Sequence, residues 1–150
     1  MTYEEWEQTV PTSVSNDPLW NMRVYRLALF VGDIGWHDVV KLGQDQRTLS
    51  MADQLYRALG SISANIAEGY SRSSGRDQAR MHEYALGSAR EARDWYWKSR
   101  HILGNEVTLH RLELISQIIR LLMVIVPNER KSGVKEESYT YQSASADTQQ

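Results

Sequence analysis

Arg76 and His82, in the stretch "RDQARMH", are separated by five residues. A guanidinium can stabilise negative charge and an imidazole can carry a proton, so the pair is a candidate for acid/base chemistry. The spacing arises often by chance, and a charged first turn of a helix normally faces water. Glu68 and Glu91 are the carboxylates that could share acid/base work, but no nucleophile or water-activating group accompanies them. A carboxylate metal site in a helical protein would want Glu-x-x-His on facing helices. None occurs, and the adjacent His82 and Glu83 point to different sides of their helix. The chain has no cysteine, which excludes disulfides, thiolate nucleophiles and cysteine-containing zinc sites. His37, His101 and His110 are scattered, and no glycine-rich phosphate loop or Ser–His–Asp set stands out. The expectation is therefore no catalytic residues, no metal, no cofactor and no small-molecule substrate.

Cations offer a different chemistry. Arg72, Arg76, Arg80, Arg90, Arg93, Lys98 and Arg100 crowd one segment, against the four acids Asp77, Glu83, Glu91 and Asp94. Tyr70, Trp95, Tyr96 and Trp97 lie among them, and aromatics between cations can stack nucleobases. The plainer alternative is a solvated face laced by pairs such as Arg90/Asp94, with Trp95 in the core and Trp97 near a boundary. Net charge is −2, with 14 bases against 12 acids over residues 17–128. That weak basic excess permits nucleic-acid binding without predicting it.

These side chains must be positioned by helices. Asp17-Pro18 is a start signal, an acidic N-cap followed by proline at the first helical position. Trp20, Val24, Leu27, Val31 and Ile34 then recur at helical spacing until Gly43, a natural left-handed terminator. "SMAD" at Ser50 to Asp53 reads as a capping box for a second helix striped by Leu55, Leu59, Ile62, Ile66 and Tyr70. Ser74 and Asp77 suggest a second box, opening a third helix that Gly104 should end. A fourth starts near Asn105, carries Leu112, Ile115, Ile119, Leu122 and Val126, and should stop at Pro127. Nothing shows the period-2 alternation of strands. Short connections between long helices predict an all-α, antiparallel up-down-up-down four-helix bundle over residues 17–127.

Residues 1–16 form a polar arm with Trp6 as its anchor, and residues 128–150, ending "SYTYQSASADTQQ", suggest a disordered tail. The acidic start "MTYEEWEQTV" is unlike a signal peptide, and the apolar run Leu114 to Val126 is short for a membrane span. A cytoplasmic location without membrane contact is the default. The fourth helix also carries a surplus: Leu114, Ile118, Leu121, Met123, Val124 and Ile125 put apolar groups on nearly every face. A helix apolar all round needs partners on all sides. Leu114, Ile118, Leu121, Val124 and Ile125 are accordingly expected at a homo-oligomer interface, with coverage by the N-terminal arm as the alternative.

One stretch, "SISANIAEGYSRSS", with "ALGSARE" in the next helix, is more specific than any short motif. Ser61, Ile62, Asn65, Ile66, Ala67, Glu68, Gly69, Arg72 and Ser74, then Ala85, Gly87, Ser88 and Glu91, carry a resemblance to the four-helix-bundle family named for the 23S ribosomal RNA intervening sequence. The resemblance covers residues of about 18 to 127. It implies an antiparallel four-helix bundle, a tendency to homopentamers and no established enzymatic activity. A related branch, the accessory proteins of diversity-generating retroelements, assembles as pentameric barrels that bind a reverse transcriptase and nucleic acid. The Arg76/His82 pair in turn looks like the signature of bundle-type HEPN ribonucleases.

Within the motif, Ser61, Asn65 and Glu68 follow i, i+4, i+7 and so share a helix face, while Ser88 and Glu91 lie at i and i+3. Gly60, Ala64, Ala67, Ala85, Gly87 and Ala92 leave little bulk between the two helices. The expectation is a polar seam of Ser61, Asn65, Glu68, Ser88 and Glu91 that fixes helix register. Function then moves to RNA, or a ribonucleoprotein partner, on the cationic surface. The alternative is a protein-binding accessory subunit of a reverse transcriptase without nucleic-acid contact of its own, and behind it an RNase.

Overall fold

The computed structural model describes the backbone of residues 1–146 and the side chains of residues 1–132. Two short helices, α1 (Tyr3–Glu7) and α2 (Thr12–Ser15), and a 3-10 turn over Pro18–Asn21 lead into α3 (Arg23–Leu42). Then follow α4 (Leu49–Tyr70), α5 (Gly75–Lys98), the short α6 (Arg100–Leu103) and α7 (Asn105–Ala146). The protein is all-helical among the described residues, with four long helices. Both α3 and α5 pack on α4 and α7, which closes one core. Val24, Val31, Leu55, Leu59, Ile62, Ile66, Ile115, Ile118 and Leu122 are buried there, each worth roughly 1.5–3 kcal/mol of transfer free energy. α5 contributes mostly small groups, Ala85, Ala89 and Ala92, with Tyr96 and His82 as its large buried side chains. Small residues let α5 sit close to both neighbours.

Several boundaries differ from the sequence expectation. Asp17 does cap, its Oδ1 accepting from the Leu19 amide at 2.8 Å, but the element it caps is the 3-10 turn. Met22 is extended, at φ −76° and ψ 106°, so the long helix begins only at Arg23. The box at Ser50 does not form. α4 starts one residue earlier, and Thr48 donates its hydroxyl to the Leu42 carbonyl at 2.6 Å, tying the α3–α4 connection together. Gly43 ends α3 in right-handed geometry (φ −70°); the left-handed glycine is Gly104, at φ 83°. Ser74 accepts from the Asp77 amide at 3.2 Å and caps α5, but Asp77 does not return the bond, so only half of the expected box forms.

Two larger corrections concern α7. Pro127 lies inside the helix, which continues to Ala146, so the stop expected there is overruled. Proline removes one i→i−4 hydrogen bond and crowds the carbonyl of Met123. Met123 and Pro127 are exposed, so water can satisfy that carbonyl. Beyond the proline, Arg130 Nε and Nη2 donate to Glu83 Oε1 of α5 at 3.1 and 2.5 Å, and Glu129 Oε1 lies 2.6 Å from His82 Nδ1. The expected unstructured tail thus begins within a helix; residues 147–150 lie outside the described residues. Secondly, Leu114 and Ile118 are buried within the chain itself, because α7 faces both α3 and α5. They are core, not interface. Leu121 and Ile125 are half-buried, while Met123 and Val124 stay exposed.

The N-terminal arm docks on this core. Trp6 is buried, donates from Nε1 to Asp33 Oδ2 at 2.6 Å, and lies 5.3 Å from the Phe30 ring and 6.1 Å from that of Trp20. A reciprocal box between Thr2 and Glu5 starts α1. No helix among the described residues is long and apolar enough to cross a membrane.

Candidate nucleic-acid interface

The cations expected to act together divide into three groups. Arg72 pairs with Glu68 one turn earlier at 2.7 Å, and Lys98 pairs with Asp94 at 2.7 Å while lying 4.8 Å over the Trp95 ring. Both are exposed i, i+4 pairs, worth a few tenths of a kcal/mol, and both charges are locally compensated. Arg76 and Arg80 are exposed at the start of α5. They have no carboxylate partner among the described residues, and Arg80 lines a small cleft of about 110 Å³ with Arg72, Asp77 and Met81.

The third group forms a site. Arg90, Arg93 and Trp97 follow i, i+3, i+7 along α5 and so share the face turned towards α7. Between the two helices runs a groove of about 460 Å³, lined by Arg90, Arg93, Asp94, Trp97, Leu112 and Ser116. The Arg90/Asp94 pair read from the sequence does not form. Asp94 is held by Lys98, and Arg90 Nη2 reaches instead to Met123 Sδ at 3.7 Å. Arg93 Nη1 lies 3.5 Å from Ser116 Oγ. Arg100, from α6, stacks its guanidinium 4.0 Å from the Trp97 ring centre and donates from Nη1 to the Trp97 carbonyl at 2.9 Å. Arg100 therefore stacks on a half-exposed indole that shares the groove lining with Arg90 and Arg93, and none of the three guanidinium groups has a carboxylate partner among the described residues. Such a set can take phosphate oxygens and an aromatic face. A larger cleft, of about 650 Å³, lies between the N-terminal arm and α3/α7. Arg23 and Arg26 there are balanced by Glu4 and Glu113 around an apolar floor of Leu27, Phe30 and Leu114, so its chemistry is far less directed.

The expected polar seam is not a bond network across helices. Asn65 Nδ2 donates to its own helix at the Ser61 carbonyl (2.8 Å), Glu68 pairs with Arg72, and Glu91 Oε1 accepts from Trp95 Nε1 at 3.2 Å. Glu68 and Glu91 are exposed, and Ser61 and Ser88 half-buried. These residues edge the α4/α5 contact; they do not bond across it.

The residue that does bond across is His82. It is 1% exposed, with Nε2 3.2 Å from the Ile66 carbonyl of α4 and Nδ1 2.6 Å from Glu129 of α7. Gly69 makes room for it: a Cβ there would fall 2.6 Å from His82 Nε2. With both ring nitrogens engaged and no exposure, His82 cannot meet a substrate phosphate, and the ribonuclease assignment to Arg76 and His82 loses its proton carrier.

Sequence reasoning also missed a second buried knot. Asp38 of α3 accepts from Arg111 of α7 twice, at 2.7 and 3.1 Å, and from the Tyr96 hydroxyl of α5 at 2.7 Å. Burial first, and then the Asp38 charge, push the Tyr96 hydroxyl well above its ordinary value of 10.0. Burial works against the Arg111 charge, but the hydrogen bond and charge of Asp38 outweigh it and raise Arg111 further. Next to it, His110 is lowered, by burial and then by the Arg111 charge.

Residues 22–124, from the cap of α3 to three residues before Pro127, match the sequence pattern of the 23S rRNA-intervening sequence proteins. The chain belongs to that family. No curated protein and no solved structure matches it. The groove, His82 and the Asp38 knot all fall within the span shared with the 23S rRNA-intervening sequence proteins, whereas Trp6, Glu129 and Arg130 lie outside it.

Proposed function

We propose that this chain is a non-catalytic helical scaffold that assembles with copies of itself and binds RNA, or a ribonucleoprotein partner, in the cytoplasm. The observation that carries the reading is the groove lined by Arg90, Arg93 and Trp97, with Arg100 stacked on Trp97, where none of the three guanidinium groups has a carboxylate partner among the described residues. Membership of a family named for an intervening sequence in 23S rRNA supports it. Arg76 and Arg80 extend the cationic surface as the next contacts after the groove, whereas Arg72 and Lys98 are already paired with Glu68 and Asp94. The scaffold is an antiparallel up-down-up-down bundle; the pairing of residue 82 with 129 and of 93 with 116 between α5 and α7 supports that direction.

Self-assembly is supported by exposed apolar groups on two faces: Met123 and Val124 on α7, flanked by half-buried Leu121 and Ile125, and Trp36, Val40 and Tyr56 on α3 and α4. A homopentamer is the size the family resemblance favours. Solution mass of the purified chain tests this, and a strictly monomeric particle contradicts it. Binding to RNA is tested by titration at rising salt, since phosphate contacts must lose affinity as counterions compete. Absence of binding even at low salt contradicts the RNA reading. It would favour the second reading, an accessory subunit of a reverse transcriptase without nucleic-acid contact. The exposed Trp36–Tyr56 pair, 5.6 Å apart, is the feature that would serve a protein partner.

A further inference from the structure

We infer that the α5/α7 groove selects a single strand over a duplex, by laying one base on the open face of Trp97 with neighbouring phosphates on Arg90 and Arg93. This deepens, and rests on, the reading that the chain binds nucleic acid. Arg100 occupies one face of the indole at 4.0 Å, yet Trp97 remains 51% exposed. The indole thus offers a half-exposed aromatic surface in the same lining as Arg90 and Arg93. Of the aromatics nearby, Tyr96 is buried and Trp95 is half-buried, bonded to Glu91 and covered by Lys98. Trp97 alone among these lines the groove.

Spacing decides between strand types. Arg90 and Arg93 lie about 4.5 Å apart along the α5 axis, and Trp97 about 6 Å further on. Trp97 thus lies about one helical turn beyond Arg93 and about two turns beyond Arg90, along the same groove. A base can reach Trp97 only if it leaves its own stack. Single strands offer bases that way, whereas a duplex keeps its bases stacked and presents phosphate alone. The opposite wall, Leu112 and Ser116, is uncharged, and Asp94, the carboxylate of the lining, is held by Lys98. With the Ser116 hydroxyl as the one polar group on that wall, recognition is mainly by base face and phosphate. Those groups are common to RNA and DNA strands.

The full-length chain is titrated by fluorescence anisotropy with labelled strands of about 12 nucleotides, within the range of single-strand sites. The strand is supplied as RNA and as DNA, together with an RNA hairpin of similar length closed by a base-free linker, so that all its bases are paired. The single strands should bind more tightly than the hairpin. Trp97→Leu should weaken single-strand binding by about 5- to 150-fold and leave hairpin binding unchanged, while Trp97→Tyr retains most of the affinity. Circular dichroism of both variants guards against misfolding, and retention in Trp97→Tyr separates lost stacking from a damaged groove. Equal affinity for RNA and DNA strands supports the inference; loss of binding with DNA overturns it in favour of a 2′-hydroxyl contact. Unchanged binding by Trp97→Leu, or equal losses for strand and hairpin, also overturns it while leaving nucleic-acid binding intact. If the wild-type chain binds none of the probes at low salt, the underlying reading falls as well, and the groove belongs to a protein partner.

Discussion

Gly69, in the middle of the motif that marks the family, should respond to alanine with the opposite sign from its neighbours. In a helix interior, glycine costs about 0.5–1 kcal/mol relative to alanine. Gly60 and Gly87 have nothing within 4 Å of an added Cβ, so Gly60→Ala and Gly87→Ala should each stabilise by about that amount. At Gly69 the Cβ would lie 2.6 Å from His82 Nε2, 2.7 Å from its Cδ2 and 3.1 Å from Met81 Cβ. The imidazole cannot retreat, being fully buried and engaged by Ile66 and Glu129. Overpacking costs about 1–3 kcal/mol, and a buried hydrogen bond lost from His82 adds about 1–3 kcal/mol. After the helix-propensity gain, Gly69→Ala should destabilise by about 1–5 kcal/mol. Urea unfolding followed by far-UV circular dichroism reads the three variants against the parent chain. In a His82→Ala background only the Met81 Cβ contact at 3.1 Å remains, and Gly69→Ala should then cost far less than in the parent chain. A midpoint that rises for Gly69→Ala in the parent chain, as for Gly60→Ala, would refute the reasoning.

Other consequences concern the second knot, the proline and one histidine. Asp38→Ala leaves Arg111 and the Tyr96 hydroxyl buried without their acceptor, and should cost about 3–5 kcal/mol. Tyr96→Phe alone should cost about 1 kcal/mol, and the double variant should fall short of the sum because the groups are coupled; urea midpoints check all three. Pro127→Ala should stabilise by up to about 3 kcal/mol with undiminished helix content in circular dichroism; lower stability would mean that the helix does not run through. His110 should titrate by NMR below its ordinary 6.5, because burial and then Arg111 oppose its protonation. The unfolded chain then takes up that proton first, so this group's contribution falls as pH drops through 6.5 and is restored above it.

The helices were legible because their apolar residues recur every three or four positions, a signal that needs no knowledge of partners. Their ends were less so. Asp17-Pro18 serves a 3-10 turn as well as it serves an α-helix, and nothing local shows that Met22 turns extended. Pro127 reads as a stop because its sequence context does not show that Glu129 and Arg130 find partners on α5. Spacing alone sent Leu114 and Ile118 outward, since a single helix pattern cannot say that two neighbours cover α7. The polar residues divide in the same way. Ser61, Asn65 and Glu68 share a face that spacing reveals, but what lies opposite is set by tertiary packing. His82 and Asp38 each look like one stray polar residue. Their partners stand 47 and 73 residues away, beyond any local pattern. In the groove, residue types showed cations among aromatics, while the fold decided which were already paired: Lys98 and Arg72 drop out, and Arg90, Arg93 and Arg100 remain.

The central claim, that the α5/α7 groove holds phosphates of a nucleic acid, is tested most directly by the salt dependence of single-strand RNA binding. The wild-type chain is to be compared with Arg90→Gln/Arg93→Gln. Each phosphate contact on a single strand contributes about 0.7 to the slope of log affinity against log salt. The double variant should therefore lose affinity and flatten the slope by about 1.4. Identical slopes for the two proteins would place the phosphates elsewhere and contradict the account.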